Sequence, residues 1–214
     1  MRKGLLLLLV SLFAITAAYA QNGDIPHRKY SHISFGKNTI NHDNWGLQSD
    51  LAINYTDGRT FYLHGEEIAG LVRFAIDGTW TDFTYARYTR TLPVEGKKKD
   101  YKFNQLDYAL NIGPSVHFNP IDNLYVHTYF RYAPAYSLLT GDKQIYGNYA
   151  TYFVTGFSVS YNFIALGFES RLGNCDYKNI ASAKRIDLFK PNPENVLNER
   201  VKHRGWRVYL SFMF

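Results

Sequence analysis

Alternation with a period of two runs along most of this chain, and no helical period of useful length replaces it, so the sequence is limited to an all-β fold. The last ten residues show it best. Trp206, Val208, Leu210, Phe212 and Phe214 fall on one face of a strand, and Arg207, Tyr209, Ser211 and Met213 on the other. Upstream, Ile164, Leu166, Phe168 and Leu172 oppose Gly167, Glu169 and Arg171. Phe153, Phe157, Val159 and Tyr161 oppose Gly156, Ser158, Ser160 and Asn162, with a short turn near Phe163.

Two further strands flank Asn119-Pro120-Ile121-Asp122-Asn123, a strong turn signal. Before it, Tyr108, Leu110, Ile112, Val116 and Phe118 oppose Asp107, Asn111, Ser115 and His117. After it, Leu124, Val126, Phe130 and Tyr132 oppose His127, Tyr129 and Arg131. Another pair is expected to meet at Asp77-Gly78, a favoured two-residue hairpin turn, with Ile68 to Ile76 before it and 79–92 after it. Trp80 is out of phase with Phe83 and Tyr85, and a bulge near Asp82 would restore the phase. The first strand, 44–56, sets Trp45, Leu47, Leu51, Ile53 and Tyr55 against Gln48, Asp50 and Asn54.

That makes eight strands. Short turns are expected near 77–78, 119–123 and 163, and longer connections near 57–67, 93–103, 138–148 and 173–204. Ten strands is the alternative, with 30–36 and 59–65 paired about Asp57-Gly58. An even strand number with short turns on one side and long loops on the other is the pattern of an antiparallel up-and-down transmembrane β-barrel. In hydrocarbon every backbone N–H and C=O needs an internal partner, so strands span only as a closed barrel. A soluble sandwich, or a soluble barrel holding an apolar ligand, would turn the apolar faces inward. Against that, the other face is rich in Gly, Ser, Ala and Tyr with single charges of both signs. Aromatic residues reach 17%, with 18 Tyr and 15 Phe, which suits a membrane interface.

The N-terminus agrees with export. Arg2 and Lys3 precede an apolar run from Leu5 to about Ile15, and Ala18-Tyr19-Ala20 precedes Gln21, the form of a cleaved signal peptide. Residues 1–20 are therefore expected to be removed, 21–43 to form a periplasmic N-terminal segment, and 44–214 to form the barrel. The single cysteine, Cys175, excludes an internal disulfide framework. It is expected at the outer rim, just past the end of a strand.

The terminal decapeptide Gly205-Trp-Arg-Val-Tyr-Leu-Ser-Phe-Met-Phe214 resembles the last strand of the small eight-stranded outer-membrane barrels of the OmpA/OmpX type. The resemblance implies the outer membrane of a Gram-negative bacterium. It also implies that Trp206, Val208, Leu210, Phe212 and Phe214 act as a signal read by the barrel-assembly machinery. Many barrels of different function share such a strand, so it indicates a destination and not an activity.

The candidate residues divide into three sets. Asp50, Arg73, Asp107, His117, His127, Arg131, Glu169, Arg171 and Arg207 are expected to face inward as a lumenal network of ion pairs, since unpaired buried charges cost several kcal/mol each. Lys97, Lys98 and Lys99, with Lys184 and Arg185, sit in long connections; on the outer surface they would contact the phosphates of lipopolysaccharide. The catalytic set is empty. A lipid A deacylase needs His and Ser two apart on a strand with a carboxylate beside them, and His32 with Ser34 lies before the first expected strand. His27, His32 and His42 have gaps that fit no metal-ligand spacing, and no cofactor motif is present. The formal net charge of +6 is scattered among carboxylates on an exported chain, which excludes a nucleic-acid partner. The expected function is structural or surface-interacting, with a narrow solute conduit and a lipid A-modifying enzyme as alternatives.

Overall fold

A computed structural model describes residues 27–42, 45–94, 97–121, 123–141, 144–182, 185–186 and 200–213. Its strands are β1 (His27–His42), β2 (Trp45–Tyr62), β3 (Val72–Val94), β4 (Lys97–Ile121), β5 (Leu124–Gly141), β6 (Gln144–Tyr161), β7 (Ile164–Asp176), β8 (Lys178–Ser182), β9 (Arg185–Ile186) and β10 (Arg200–Met213). Sequential strands from β1 to β7 pair antiparallel. β10 pairs with β7 on one side and with β1 on the other, from Tyr30↔Met213 to Asn41↔Lys202. Eight strands thereby close into an up-and-down barrel with no unpaired edge in its wall. β8 continues the line of β7 along β6, from Gly147↔Lys178 to Gln144↔Ser182, and β9 turns back on it.

The strand number agrees with the sequence reading, but two of the eight strands differ. Asp77-Gly78 lies inside β3, so the expected strands before and after it are one. Asp57-Gly58 likewise lies inside β2. The strand missing from the sequence reading is β1, which occupies 27–42, so the barrel begins well before residue 44 and this part of 21–43 is wall. Residues 21–26 and the expected signal peptide lie outside the described residues.

The reason lies in the lumen. Gly58 faces the Tyr30 ring, where an added Cβ would lie 2.6 Å from the phenol oxygen. Asp77 is itself drawn into the lumen by Arg131, so the preference of both Asp-Gly pairs for hairpin turns is overridden by lumenal packing. The bulge near Asp82 is real. The register slips between Thr79 and Asp82 against β4, which turns Trp80 outward and Asp82 inward. A second slip, between Ser49 and Leu51, reverses the faces in the upper part of β2, so Leu47 points in and Asp50 out.

Both described ends of the wall, His27 and Met213, lie at one mouth, here the terminal mouth. The turns at 121–124 and 161–164 and the connection 63–71 share it. Asn123 (φ 67°) and Asn162 (φ 54°) carry the two tight turns in the left-handed conformation that asparagine tolerates. Segment 57–67, expected among the long connections, is largely β2 and ends at this same mouth. At the opposite, hairpin mouth, the expected loops 93–103 and 138–148 are mostly strand. β2 pairs with β3 only as far as Ser49↔Tyr88, and β5 with β4 only as far as Phe103↔Gly141. Thr89–Val94 and Lys97–Lys102 therefore continue as a two-stranded ribbon roughly 20 Å beyond the wall.

The wall is inverted relative to a water-soluble barrel. Phe35, Ile53, Phe83, Leu110, Phe130, Phe153, Phe157, Leu166, Val208 and Leu210 all point outward, with Leu166 62% exposed. The inward positions carry Ser, Thr, Asn, Tyr, Ala and ionised groups, nearly all buried. An interior of eight strands is just wide enough to be filled by side chains, and this one is filled.

Candidate functional site

Three tiers of polar contacts cross the lumen, each centred on a carboxylate that no solvent reaches. Nearest the terminal mouth, Asp77 Oδ2 accepts hydrogen bonds from Arg131 Nη2 (2.6 Å) and Nε (3.1 Å) and lies 3.2 Å from His127 Nε2. Its Oδ1 accepts from Thr60 (2.7 Å) and Ser115 (3.0 Å). The Arg131 guanidinium also lies 3.7 Å from the centre of the Tyr129 ring, a cation–π contact.

In the middle tier Arg207 joins two acids. Its Nη2 donates to Asp82 Oδ2 (2.9 Å) and also meets Glu169. Asn111 donates to Asp82 (2.8 Å), Asn54 does so as well, and Tyr129 donates to Glu169 (2.7 Å). In the third tier Asp107 accepts from Gln105 (2.9 and 3.0 Å), Ser137 and Tyr152 (3.3 Å), with Arg171 Nη1 at 3.4 Å. Arg171 lies over the Tyr152 ring at 3.6 Å. Above this tier the lumen turns apolar. Ile40, Leu47, Leu139, Val201 and Cys175 pack with Tyr88 and Tyr177 beneath the hairpin mouth.

Seven of the nine residues expected in the lumenal network are there: Asp107, His117, His127, Arg131, Glu169, Arg171 and Arg207. Two are not. Asp50 is outside because of the β2 register slip, and accepts a hydrogen bond from Thr89 (2.7 Å). Arg73 sits at the terminal mouth, 3.8 Å from Glu67 and stacked over Tyr62, too near the end of its strand to reach the tiers.

The acids that anchor the first two tiers, Asp77 and Asp82, were absent from the sequence set, although both signals were on the page. Asp77 was assigned to a turn. The bulge needed to rephase Phe83 and Tyr85 also turns Asp82 to the side of Thr84 and Ala86, a consequence of the pattern itself.

Cys175 is buried, 1% exposed, with its Sγ 3.9 Å from the Asn148 carbonyl, so the expectation of an accessible rim thiol is corrected. His32 and Ser34 also face the lumen: His32 stacks on Tyr209 at 4.5 Å, and Ser34 donates to Asn54 (3.0 Å). Neither reaches the surface at which a lipid substrate would lie. His27 and His42 are at opposite ends of β1, so the three histidines share no site. Trp206, Val208, Leu210 and Phe212 form one outward stripe on β10, and Phe214 lies outside the described residues. Lys97, Lys98 and Lys99 begin β4 at the ribbon tip, opposite Val94, Pro93 and Leu92. Arg185 opens β9, and Lys184 lies outside the described residues.

No known protein family matches the chain by sequence, and no curated protein does. Among solved structures it is similar to Ail, the attachment invasion locus protein of Yersinia pestis (9% identity, TM-score 0.43, covering 87% of this chain and 98% of that one). It is also similar to neisserial surface protein A (11%, 0.45, 87% and 97%) and to the outer membrane protease OmpT from Escherichia coli (8%, 0.49, 89% and 97%). The eight-stranded barrel itself is established by the hydrogen-bonded register of this chain.

Proposed function

We propose that this protein is a plugged outer-membrane barrel with a structural or surface-interaction role and no reaction of its own. The observation that carries this is the inversion of the wall. A closed ring of strands shows aromatic and aliphatic side chains outside, while ion-paired carboxylates and guanidiniums fill the inside. The outer face suits hydrocarbon, and each of the eight wall strands exceeds the roughly 9–11 residues that a tilted span requires. With both strand ends of the seam at the periplasmic side, the β3–β4 ribbon projects outward. From Thr89 to Lys102 it carries five Lys or Arg against two acids. Its basic groups are matched to lipopolysaccharide phosphates, at roughly 1 kcal/mol for each lysine near such a surface.

The filled lumen argues against a solute conduit. In planar bilayers the purified protein is expected to give no discrete single-channel steps. Reproducible steps of uniform size would make it a pore. An altered lipid A mass in cells overproducing it, lost on substitution of one buried residue, would make it an enzyme.

A further inference from the structure

Between the first tier and the terminal mouth lies a small cavity, partly open to solvent. Two guanidiniums, Arg28 and Arg131, and three imidazoles, His32, His117 and His127, line it together with hydroxyls, and among the described residues no carboxylate does. Asp77 stands behind the wall of this space with both oxygens occupied. Three of the lining groups keep a buried nitrogen with no protein partner: His32 Nε2, His117 Nε2 and Arg131 Nη1. Their residues are 3%, 5% and 2% exposed. Arg131 spends Nε and Nη2 on Asp77, so the remaining Nη1 is the arm of the fork left over for something else. Arg28 closes the opening, donating to the Asn162 carbonyl and stacking over Tyr125.

We infer that this cavity is a binding site for a small oxyanion, of the size and charge of sulfate or inorganic phosphate. Buried donors without acceptors are rare in folded proteins, and a cluster of them around one space calls for a ligand that accepts. Guanidinium and imidazole N–H groups make charge-assisted hydrogen bonds to such an anion. The lining itself holds two arginines and, among the described residues, no carboxylate.

A metal ion fits less well, although ligand atoms of Asp77, His117 and His127 lie within 4.8 Å of one another. The two imidazoles are stacked, 4.1 Å apart and 17° from parallel, so their lone pairs run side by side and do not converge. Asp77 would also have to release Arg131. The tetrahedral set that zinc takes is not prepared here.

The inference concerns the terminal mouth and stands whichever membrane the barrel occupies. Its test is a sulfate titration of the full chain in a phosphate-free, non-ionic detergent, followed by NMR of the histidine side-chain nitrogens. Ionic strength is held constant with gluconate, whose anion is larger. The expected result is a saturable shift of His32 and His117 together, reproduced by inorganic phosphate and weakened about tenfold or more in Arg28→Gln, a change of about 1.4 kcal/mol in binding. Arg28 is at the rim, so this variant is expected to keep the fold, read as the same β-sheet circular dichroism as the parent chain. His117→Gln, wherever it folds, should weaken binding too. A linear, non-saturating response would mean an adventitious ion only and overturn the site. So would an undiminished response in Arg28→Gln. Saturable zinc binding at His117 and His127 with sulfate silent would replace the anion by a metal.

Discussion

The two halves of the lumen solve the same problem differently. Toward the terminal mouth, buried Asp77, Asp82 and Glu169 are held by Arg131 and Arg207 through directed hydrogen bonds. Toward the hairpin mouth, Ile40, Leu47, Leu139, Val201 and Cys175 fill the same bore by shape alone. Directed contacts tolerate one register, because a slip of one residue would turn every charge to the apolar outer face. Apolar packing is more permissive of shape, and here it lies where β3 and β4 are about to leave the wall for the ribbon.

Charge removal should separate the halves most sharply. Arg207→Met leaves Asp82 and Glu169 without their common cation, and a loss of about 3–5 kcal/mol is expected in denaturant unfolding followed by tryptophan fluorescence in micelles. Adding Asp82→Asn and Glu169→Gln should recover much of it. A triple variant as weak as Arg207→Met would show that shape, and not charge pairing, holds that half.

In the apolar half, Leu139→Ala should cost about 2–3 kcal/mol, the usual penalty of a lost side chain plus a cavity. No neutralising substitution should restore it. A loss below about 0.5 kcal/mol would mean that the cap is not packed as a core.

Cys175 probes the same cap from its rim. A membrane-impermeant maleimide should leave it unlabelled in the folded barrel and label it after unfolding, and Cys175→Ser should cost about 1 kcal/mol. Rapid labelling of folded protein would place the thiol outside. The smallest effect is expected beyond both halves. Replacing Lys97, Lys98 and Lys99 by Ser should change stability by no more than about 0.5 kcal/mol while lowering affinity for lipopolysaccharide vesicles. Unchanged affinity would remove the ribbon from the proposed contact.

What the sequence disclosed, and what it withheld, follows from the same division. The outward faces of β4 to β7 and β10 were legible because large apolar residues recur at every second place, and nothing local competes with that period. β1 was hidden. Its Ile33 and Phe35 alternate with His32, Ser34 and Gly36, but Lys37 and the slip between Gly36 and Thr39 interrupt the pattern before it covers a full span. Asp77-Gly78 and Asp57-Gly58 misled because a turn propensity of local origin is indistinguishable, in one dimension, from a lumenal aspartate at 77 and a glycine that admits the Tyr30 ring at 58. The lumenal charges were mostly legible by parity. Their partners were not, since parity says which side a residue takes and nothing about its height along the bore. The cavity at the terminal mouth gathers Arg28 and His32 from β1 with His117, His127 and Arg131 from β4 and β5, strands with no short-range signal linking them.

The seam between β1 and β10 has a kinetic consequence. It joins the first described strand to the last, so the wall cannot close until β10 has been delivered. Every other wall pairing joins neighbouring strands and can zip up locally, whereas this one carries nearly the whole chain as its closed loop. Folding that ends on so non-local a contact is slow. Until it forms, the nascent sheet has two unpaired edges, β1 and whichever strand was made last, both open to pairing with other chains.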